Sequence, residues 1–527
     1  MPIVLGIDIG TTAVKACLVS GEAHVMSNST VEYSMQCLSS PFPKGSETDV
    51  SSVLVAVLSA VRALDLPRFP PTAVALCGQM HGIVWWSAKD LVDGVNQVLS
   101  STSKTVPTAW SSLISWQDGR CDGAFLDACR SRVPDHLSPL SSGYGIATFA
   151  HVMQHSPCQV ERFDTCGTIM DLVAFALCGH TRPTDATMDT TNAFSWGAFD
   201  SQAHAWPASA VSALGIPVDI LPRVVRPGSI VGMMASRTTS VFANVIAASS
   251  IPVYAPMGDH PCSVLALLHV HHVVSPVEVA SPLRCLAPSL VQQRSVSRVV
   301  INIGTSAQLS YVETPSSRPD DDENRRDGNS YSFEKRPYFG SQDLYVAAAL
   351  TGGNVFARFV ANCVQWATDL GVPSTASDGR MFANVIAMGL QRTDTALTCR
   401  PTFGGERSQS ANNTTGQLSN MAMDNWSIGD MSAAIARGIV TNLIELLPKR
   451  KQIELRRRRF CPTLKLVANL KRAVCRVLGS GNALLRNALL QHFVQAEFAP
   501  NAVVLCRESD AAVGAALVVL QYGAPSI

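Results

Sequence analysis

The chain of 527 residues carries 41 Lys and Arg residues against 40 Asp and Glu residues, so its formal net charge is +1. A chain without an excess of either charge has no overall attraction for nucleic acid or for an anionic membrane, which favours a small-molecule partner. Hydrophobic residues make up 47% of the sequence, and this length and composition allow about two to four globular domains.

The 15 cysteines are scattered, and none lies in a Cys-x-x-Cys pair. This distribution is typical of buried thiols in a reducing compartment rather than of a disulfide framework or a zinc site. The first residues show no basic stretch ahead of an apolar one, and no apolar run is long enough to span a bilayer. We therefore expect a cytoplasmic protein with neither a membrane nor a nucleic-acid partner.

The first strong motif lies at residues 5–19, where an apolar segment, a Gly-Thr-Thr turn and a second apolar segment predict a β-hairpin. Its glycine lets the backbone approach a ligand, and its threonine hydroxyls and amides can donate to phosphate oxygens. The aspartate before the turn can hold a metal ion through water. We interpret the hairpin as a phosphate site, with an ordinary turn as the alternative. The candidate residues are Asp8, Gly10, Thr11, Thr12 and Lys15.

The residues after this hairpin predict an α/β domain. Residues 24–34 can supply a third strand, and residues 49–64 have apolar side chains at helical spacing with Asp49 placed as the N-cap. Residues 73–77 then predict a buried strand. The order strand, strand, strand, helix, strand is typical of a ribonuclease-H-like domain.

Two polar motifs follow that strand, Gly78-Gln79-Met80-His81-Gly82 and Trp116-Gln117-Asp118-Gly119-Arg120. Ligands of α/β sheets bind beyond the carboxyl ends of strands, where the first motif lies. Amide, imidazole and carboxylate groups offer the donors and acceptors that a polyol needs, and an aromatic ring can lie against its C–H face. The alternative for Arg120 is a structural ion pair with Asp118. The candidate sugar-binding residues are Gln79, Met80, His81, Trp116, Asp118 and Tyr144.

Together these motifs resemble those of the FGGY carbohydrate kinases, in which Gln-Met-His-Gly and Trp-x-Asp-x-Arg line the pocket of ketose kinases. Within the family the likeness is greatest to the kinases of sedoheptulose, and xylulose kinases, which share the first motif, are the alternative. The resemblance implies two ribonuclease-H-like lobes of the actin, heat-shock-70 and sugar-kinase type around a central cleft. Residues 1–264 would bind the sugar and residues 265–527 the nucleotide, with ATP and Mg²⁺ as cofactors.

A candidate base follows Gly258 at the end of an apolar segment. Phosphoryl transfer to an alcohol needs a carboxylate that accepts the hydroxyl proton and directs the oxygen at the γ-phosphate. The family carries its catalytic aspartate in a Gly-Asp motif at this point, so the resemblance implies that Asp259 is the base. A turn-capping aspartate is the alternative. His260 and Pro261 depart from the family pattern, and we expect them to alter the helix that normally follows.

Residues 299–312 repeat the pattern of the opening hairpin, with a Gly-Thr-Ser turn between apolar segments. We expect the two hairpins to hold the β- and γ-phosphates from opposite sides. Residues 344–350 predict a strand that leads to a Gly-Gly turn and a helix, and residues 473–478 one that leads to Gly-Ser-Gly. The resemblance implies nucleotide contacts there. The candidate residues are Gly304, Thr305, Gly352, Gly353, Gly479 and Gly481.

Two stretches, residues 265–297 and 448–472, have no counterpart in the family pattern. The first contains three close histidines but no acidic or cysteine partner nearby, so we interpret it as an added loop or a gene-prediction artefact rather than a metal site. The second contains Arg456–Arg459, and a single basic run in a neutral chain favours a surface insertion over a nucleic-acid contact.

The sequence thus predicts a monomeric or homodimeric kinase that takes a ketose and ATP and converts sedoheptulose to sedoheptulose 7-phosphate. A pentulose kinase similar to the xylulose kinases is one alternative. A catalytically weak sugar- or nucleotide-binding homologue, impaired by the change at His260 and Pro261 or by the insertions, is the other.

Overall fold

A computed structural model describes residues 1–33, 37–38, 40, 42, 44–100, 109–248, 250–273, 298–314, 333–371, 378–403, 415–456, 476–499, 503–506 and 510–523. The chain divides into two compact units. Unit 1 contains Met1–Ala266, Pro337–Ser341 and Asp510–Ile527, and unit 2 contains Leu267–Arg336 and Gln342–Ser509.

Unit 1 is a mixed α/β structure. Its strands are β1 (Ile3–Ile9), β2 (Ala13–Ser20), β3 (Val25–Glu32), β4 (Cys37–Leu38), β5 (Glu47–Thr48), β6 (Ala73–Gly78), β7 (Val84–Trp86), β8 (Leu113–Ile114), β9 (Thr165–Gly167), β10 (Thr187–Asp189), β11 (Arg223–Val225), β12 (Ile230–Met233), β13 (Pro252–Tyr254) and β14 (Met257–Gly258). Its helices are α1 (Val50–Arg62), α2 (Leu91–Ser100), α3 (Gly123–Arg130), α4 (Gly145–His155), α5 (Ile169–Cys178), α6 (Thr190–Trp196), α7 (Ala208–Ala213), α8 (Val241–Ile246) and the first residues of α9 (Asp259–Val273).

The main sheet of unit 1 has the strand order β12-β13-β6-β1-β2-β3, with β14 also beside β6. Strands β1, β2 and β3 form an antiparallel meander, and β6 runs parallel to β1. Helix α1 begins after Asp49, whose carboxylate accepts the Ser51 N–H at 3.0 Å. The predicted hairpin, third strand, capped helix and buried strand are therefore confirmed.

Unit 2 repeats this plan. Its strands are β15 (Arg298–Ile303), β16 (Ala307–Glu313), β17 (Phe333–Pro337), β18 (Asp343–Ala349), β19 (Thr398–Arg400), β20 (Gln417–Ser419), β21 (Arg476–Ser480) and β22 (Val503–Leu505). Its helices are α10 (Gly353–Asp369), α11 (Asp378–Leu390), α12 (Ile428–Glu445), α13 (Lys449–Arg456), α14 (Asn482–Arg486) and α15 (Ala488–Phe498).

The main sheet of unit 2 has the order β17-β18-β16-β15-β21-β22. Strands β15, β16 and β18 are antiparallel neighbours, whereas β21 runs parallel to β15 and β22 parallel to β21. Both units thus place a meander beside parallel strands in the same order. This confirms the α/β class and the two ribonuclease-H-like units predicted from the sequence.

Each unit has its own hydrophobic core. In unit 1 one cluster joins the sheet to α1 and α5, and a second surrounds the fully buried Trp85, Phe149 and Trp196. In unit 2 the core lies between the sheet and α10, α12 and α15. Burial of these apolar side chains is the main stabilising contribution to each unit.

The last helix of the chain, α16 (Ala511–Tyr522), belongs to unit 1, where it packs on β1, β2 and β6. The helix approaches very closely, because an added Cβ on Gly514 would overlap the Cys262 carbonyl oxygen and one on Gly6 would overlap that of Ala512. The sequence-based division assigned this segment to the second lobe, and its contacts lie in the first unit.

Helix α9 begins at Asp259 and continues to Val273 although Pro261 stands in its first turn. Proline is tolerated there because the first N–H groups of a helix have no partner within it. The expected disturbance does not prevent a helix from following Asp259.

Parts of both apparent insertions, residues 274–297 and 457–472, lie outside the described residues, as does most of the arginine run. Among the residues that the structure describes, no group of three or more metal-ligating side chains is found. No described helix combines the length and apolarity needed to cross a membrane.

Candidate active site

Three parallel strands of unit 1 end side by side. Strands β1 and β14 flank β6, and both pair with it as far as Gly78. The next residues along the three strands are Gly10, Gln79 and Asp259. Because these residues follow paired positions, they lie together at one end of the sheet. The structure thus brings together the candidate phosphate hairpin (residues 5–19), the first candidate sugar motif (residues 78–82) and the candidate base. The second candidate sugar motif is residues 116–120.

The turn of the opening hairpin is closed by its own backbone. The Gly10 N–H donates to the Ala13 carbonyl oxygen at 3.1 Å, and a Cβ on Gly10 would lie 2.9 Å from that oxygen. The Tyr33 hydroxyl donates to the Gly10 carbonyl at 2.7 Å. Sequence reasoning missed Tyr33, because only the pairing of β2 with β3 brings it to the turn. Thr11 is partly buried and Thr12 is exposed at the tip.

Asp8 lies opposite Lys15 in the pairing of β1 with β2. Burial and the nearby carboxylate of Asp259 raise the pKa of Asp8 to about 8, with a smaller increase from Asp510, while Lys15 acts to lower it. Its Oδ1 has no hydrogen-bond partner within the described residues. A buried carboxylate that is repelled by a neighbouring one and has one oxygen unpaired has the chemistry to hold a divalent cation, because the cation would offset the repulsion.

Gln79 is 2% exposed, and its amide oxygen and nitrogen both lack a hydrogen-bond partner in the part of the chain that is described. A buried amide in this state is costly unless a ligand supplies the partners. Met80 packs against Gly258, since a Cβ on that glycine would lie 2.5 Å from the Met80 Cε. The first sugar motif therefore directly contacts the residue before the candidate base.

His81 has a strained backbone and a ring that two contacts hold in place. Its φ of 75° lies in the left-handed region, which is strained for a residue other than glycine. Its ring stacks on Tyr144 with centroids 4.4 Å apart. Its Nδ1 lies 2.7 Å from the Ser195 carbonyl oxygen, which only accepts, so Nδ1 carries the proton and donates. The structure thus brings the predicted sugar residues His81 and Tyr144 together.

The residues of the second candidate sugar motif make two different kinds of contact. The Trp116 indole N–H donates to the Thr11 hydroxyl oxygen at 3.0 Å and so joins this motif to the phosphate hairpin. The Asp118 side chain is fully buried and accepts from Arg120 Nε at 2.7 Å and Nη2 at 2.9 Å. The Ser46 N–H adds a bond of 2.7 Å to Oδ2. These contacts support the structural alternative for Arg120, in which it forms an ion pair with Asp118.

Asp259 is partly buried at the start of α9, where its Oδ1 accepts the His260 N–H at 2.7 Å. It therefore makes a capping contact, and its charge also acts on Asp8. This capping contact uses one carboxylate oxygen and leaves the charge of the group unchanged. The capping role and the candidate role as a base are therefore compatible.

The candidate nucleotide residues of unit 2 converge at the ends of β15 and β21. The Gly353 N–H donates to the Gly304 carbonyl at 2.8 Å, and the Asn354 N–H to that of Thr305 at 3.2 Å. Added Cβ atoms on Gly352 and Gly353 would collide with Ser306 and Ala483. The start of α10, a helix of 17 residues, therefore lies directly against the second hairpin, where its first N–H groups are already paired. What it adds beside the turn is the positive end of its helix dipole.

The two remaining glycines have different surroundings. Gly481 has a φ of 95°, and a Cβ on it would lie 2.5 Å from the Ile303 carbonyl carbon, so it passes close to the end of β15. Gly479 lies within β21, where a Cβ would meet the side chains of Leu484 and Leu505. Close backbone approach thus explains why residue 481 is a glycine, and side-chain packing explains the glycine at 479.

Sequence reasoning also missed the contribution of helix α6 to this site. Thr191 and Asn192 contact the segment that ends at Asp259, and Ser195 contacts His81. These contacts span 67, 64 and 114 residues of sequence, so no local motif indicated them.

Comparisons with known proteins place this site in context. The model of the FGGY family of carbohydrate kinases, N-terminal domain, matches residues 3–266. Sedoheptulokinase of Homo sapiens is 33% identical over 530 residues, covering 99% of this chain and 98% of the relative. The solved xylulose kinase of Rhodospirillum rubrum has a TM-score of 0.69 at 16% identity, covering 98% of this chain and 89% of its own. The Plasmodium falciparum glycerol kinase solved with ADP has a TM-score of 0.64 at 14% identity, covering 99% and 91%.

Proposed function

Because the chain belongs to the FGGY family of carbohydrate kinases, and is thus a phosphotransferase acting on a sugar hydroxyl, we propose that it phosphorylates sedoheptulose. The γ-phosphoryl group of ATP passes to the terminal hydroxyl and gives sedoheptulose 7-phosphate. The identity to human sedoheptulokinase along nearly the whole chain supports this ketose. A pentulose such as xylulose is the alternative acceptor.

The observation that carries the proposal is the alignment of three strand ends in unit 1. Strand β6 presents Gln79 and the motif that follows it, and its neighbours present Gly10 and Asp259. Phosphoryl transfer needs little covalent chemistry from the protein, so positioning of acceptor, phosphate and base accounts for most of the catalysis. These strand ends supply one group of each kind.

Asp259 acts as the general base in this proposal. It accepts the proton of the terminal hydroxyl and orients the oxygen for in-line attack. The Gln79 amide gains from sugar hydroxyls the partners that it lacks within the described protein. His81, whose ring is oriented by the Nδ1 bond to the Ser195 carbonyl, is a further sugar contact in this proposal. Trp116 and Tyr144 offer ring faces to the carbon chain.

The phosphates are held by the two hairpins in the same proposal. Thr11, Thr12 and Lys15 bind from unit 1, and the turn of the second hairpin, with the start of α10 packed against it, binds from unit 2. The proposed ATP residues of unit 2 are Gly304, Thr305, Gly352, Gly353, Gly479 and Gly481. Asp8 holds Mg²⁺ through water, and the ion supplies charge neutralisation at the phosphates.

The deciding experiment measures ADP release with sedoheptulose, xylulose, ribulose and glycerol in parallel, for the wild type and for Asp259→Asn. We expect the highest kcat/KM with sedoheptulose. We expect Asp259→Asn to lower kcat by about 10²- to 10⁴-fold, the usual contribution of a general base, with little change in ketose KM. Asp219→Asn, at an exposed position, is the matched control and should retain wild-type kcat.

The outcomes separate the candidate functions. Full turnover by Asp259→Asn would show that another group is the base. A higher kcat/KM with xylulose would assign the enzyme to the pentulose kinases. ATP-dependent stabilisation without ADP release on any ketose would favour the weak binding homologue.

A further inference from the structure

We infer that Thr191, with Asp189 and Asn192, is a positioning residue that fixes Asp259 relative to the sugar motif. The inference deepens the proposed function and rests on it, because it identifies what holds the proposed base. It assigns a role to helix α6, which no part of the proposed chemistry uses directly.

The Thr191 hydroxyl bridges two buried groups. Its Oγ1 accepts the Gly258 N–H at 3.1 Å, and Gly258 is the residue immediately before Asp259. The hydroxyl proton is directed at Asp189, whose carboxylate oxygens lie 2.8 and 3.0 Å away. Because the hydroxyl donates to one group and accepts from another, the Thr191 side chain is fixed in one rotamer. The position of Gly258 therefore depends on that of Thr191.

Asp189 is in turn locked in place. Its side chain is the N-cap of α6 and accepts the backbone N–H groups of Thr191 at 3.1 Å and Asn192 at 3.0 Å. The residue is 0% exposed, so water does not compete for these bonds. The Thr191 hydroxyl is therefore anchored to the rigid start of a helix rather than to a loop.

A second bond from the same helix fixes the other end of the segment. The Asn192 side-chain N–H donates to the Pro256 carbonyl oxygen at 3.2 Å. Two adjacent residues of α6 thus hold Pro256 and Gly258, which flank the middle of the short connection from β13 to α9. A segment held at two points has little freedom to move the side chain that follows it.

The far end of α6 holds the sugar motif. The Ser195 carbonyl accepts from His81 Nδ1 at 2.7 Å, and the Trp196 indole N–H donates to the Gly82 carbonyl at 3.2 Å. Helix α6 has only 7 residues, so it is a short rigid connection between the segment before Asp259 and the motif after β6. Its length sets the separation of the proposed base from the proposed sugar ligands.

The experiment compares three single variants in the full-length protein. Thr191→Val keeps the shape but removes the acceptor for the Gly258 N–H, and Thr191→Ser keeps the hydroxyl. Thr190→Val is the matched control, because Thr190 is also buried on α6 and its hydroxyl makes no hydrogen bond to any described residue. ADP release gives kcat and ketose KM, and thermal unfolding reports on folding.

We expect Thr191→Val to lower kcat by roughly 10- to 100-fold, since a displacement of about 1 Å can cost about 10²-fold, while ketose KM changes less than about threefold. Thr191→Ser should restore kcat to within about threefold, and Thr190→Val should match the wild type. Asn192→Ala, which removes only the bond to Pro256, should give the same pattern with a smaller loss. It serves as the test if Thr191→Val does not fold.

A double-mutant cycle separates positioning from general loss of structure. If Thr191 acts through Asp259, Thr191→Val should have no further effect on the residual turnover of Asp259→Asn. Additive losses in the double mutant would overturn the inference. So would an unchanged kcat in both Thr191→Val and Asn192→Ala while Asp259→Asn shows the expected loss. Either outcome would leave the base assignment intact. Full turnover by Asp259→Asn would instead refute the base assignment on which the inference rests.

Discussion

At the scale of single residues, the edge of the unit 1 sheet holds several buried polar atoms without partners among the described residues. They are Asp8 Oδ1, both amide atoms of Gln79 and Asn192 Oδ1. Most buried polar groups in folded proteins are paired, and each exception lowers stability. They lie in the region of the proposed site, where a polar ligand would supply the partners that these atoms lack.

Gln79→Leu is expected to stabilise the ligand-free protein while impairing its activity. The apolar side chain removes two unpaired buried groups, which should raise the free energy of unfolding by about 1–3 kcal/mol, and it removes donors and an acceptor from the sugar. Thermal unfolding and ketose KM measure the two effects. Gln117→Leu, at an exposed position, should change neither by much. A destabilised Gln79→Leu protein with unchanged KM would contradict this interpretation.

Residue chemistry alone did not decide between the two roles of Asp118. The sequence allowed both a sugar contact and an ion pair with Arg120, because each is within the chemistry of a carboxylate. The structure adds Ser46 and Glu47, which bind Asp118 and Arg120 from more than 70 residues away. Contacts at that sequence separation depend on the fold, and no local motif specifies them.

At the scale of secondary-structure elements, local pattern predicted the elements whose burial follows a simple period. Strands β1 and β6 lie in mainly apolar runs, and α1 has a capping aspartate and apolar residues at helical spacing. Helix α6 is different, because all 7 of its residues are buried and no polar face remains to reveal its period. Its contacts to Gly258 and His81 join residues 67 and 114 positions apart in the sequence, so no local pattern indicated them.

Helix α5 provides a pH-dependent test at this scale. Its capping box places Asp171 against the N–H and hydroxyl of Thr168, and burial raises the pKa of Asp171 to about 8. The folded state therefore keeps a proton that the unfolded state releases once the pH exceeds 3.8, the ordinary value for an aspartate. By linkage, this group lowers stability as pH rises from about 4 to about 8.

We therefore expect Asp171→Asn, which mimics the protonated form, to gain stability relative to the wild type as pH rises through that interval. The difference in unfolding midpoint between the two proteins, measured at several pH values, checks the prediction. Asp93→Asn, on the exposed face of α2, should show no such trend. A difference for Asp171→Asn that is constant with pH would mean that the carboxyl is already ionised in the folded state.

At the scale of the whole molecule, the sequence predicted the repeated architecture from two matching hairpins. It did not predict how the chain is shared between the units, because a small-residue helix has no marker of its partner. The small residues themselves are the reason for the observed packing, since α16 lies so close to β1 and α9 that Gly6 and Gly514 have no space for a side chain.

Gly514→Ala should therefore destabilise the protein by about 1–3 kcal/mol, the usual cost of overpacking. The added Cβ would overlap the Cys262 carbonyl oxygen, which is backbone and cannot rotate away. Urea unfolding measures the loss. Gly123→Ala is the matched control, because no atom lies within 4 Å of its added Cβ, and it should be neutral or slightly stabilising. Equal stability of the two variants would show that α16 packs less closely than described.

The return of α16 to the N-terminal unit also has a consequence for biosynthesis. Strands β1 and β6 are translated early, whereas the helix that covers them is translated only after the whole of unit 2. Until then the growing polypeptide exposes an apolar sheet surface, and such surfaces are prone to aggregation and attract chaperones. Any premature stop codon upstream of residue 510 would therefore leave the main sheet of unit 1 without α16.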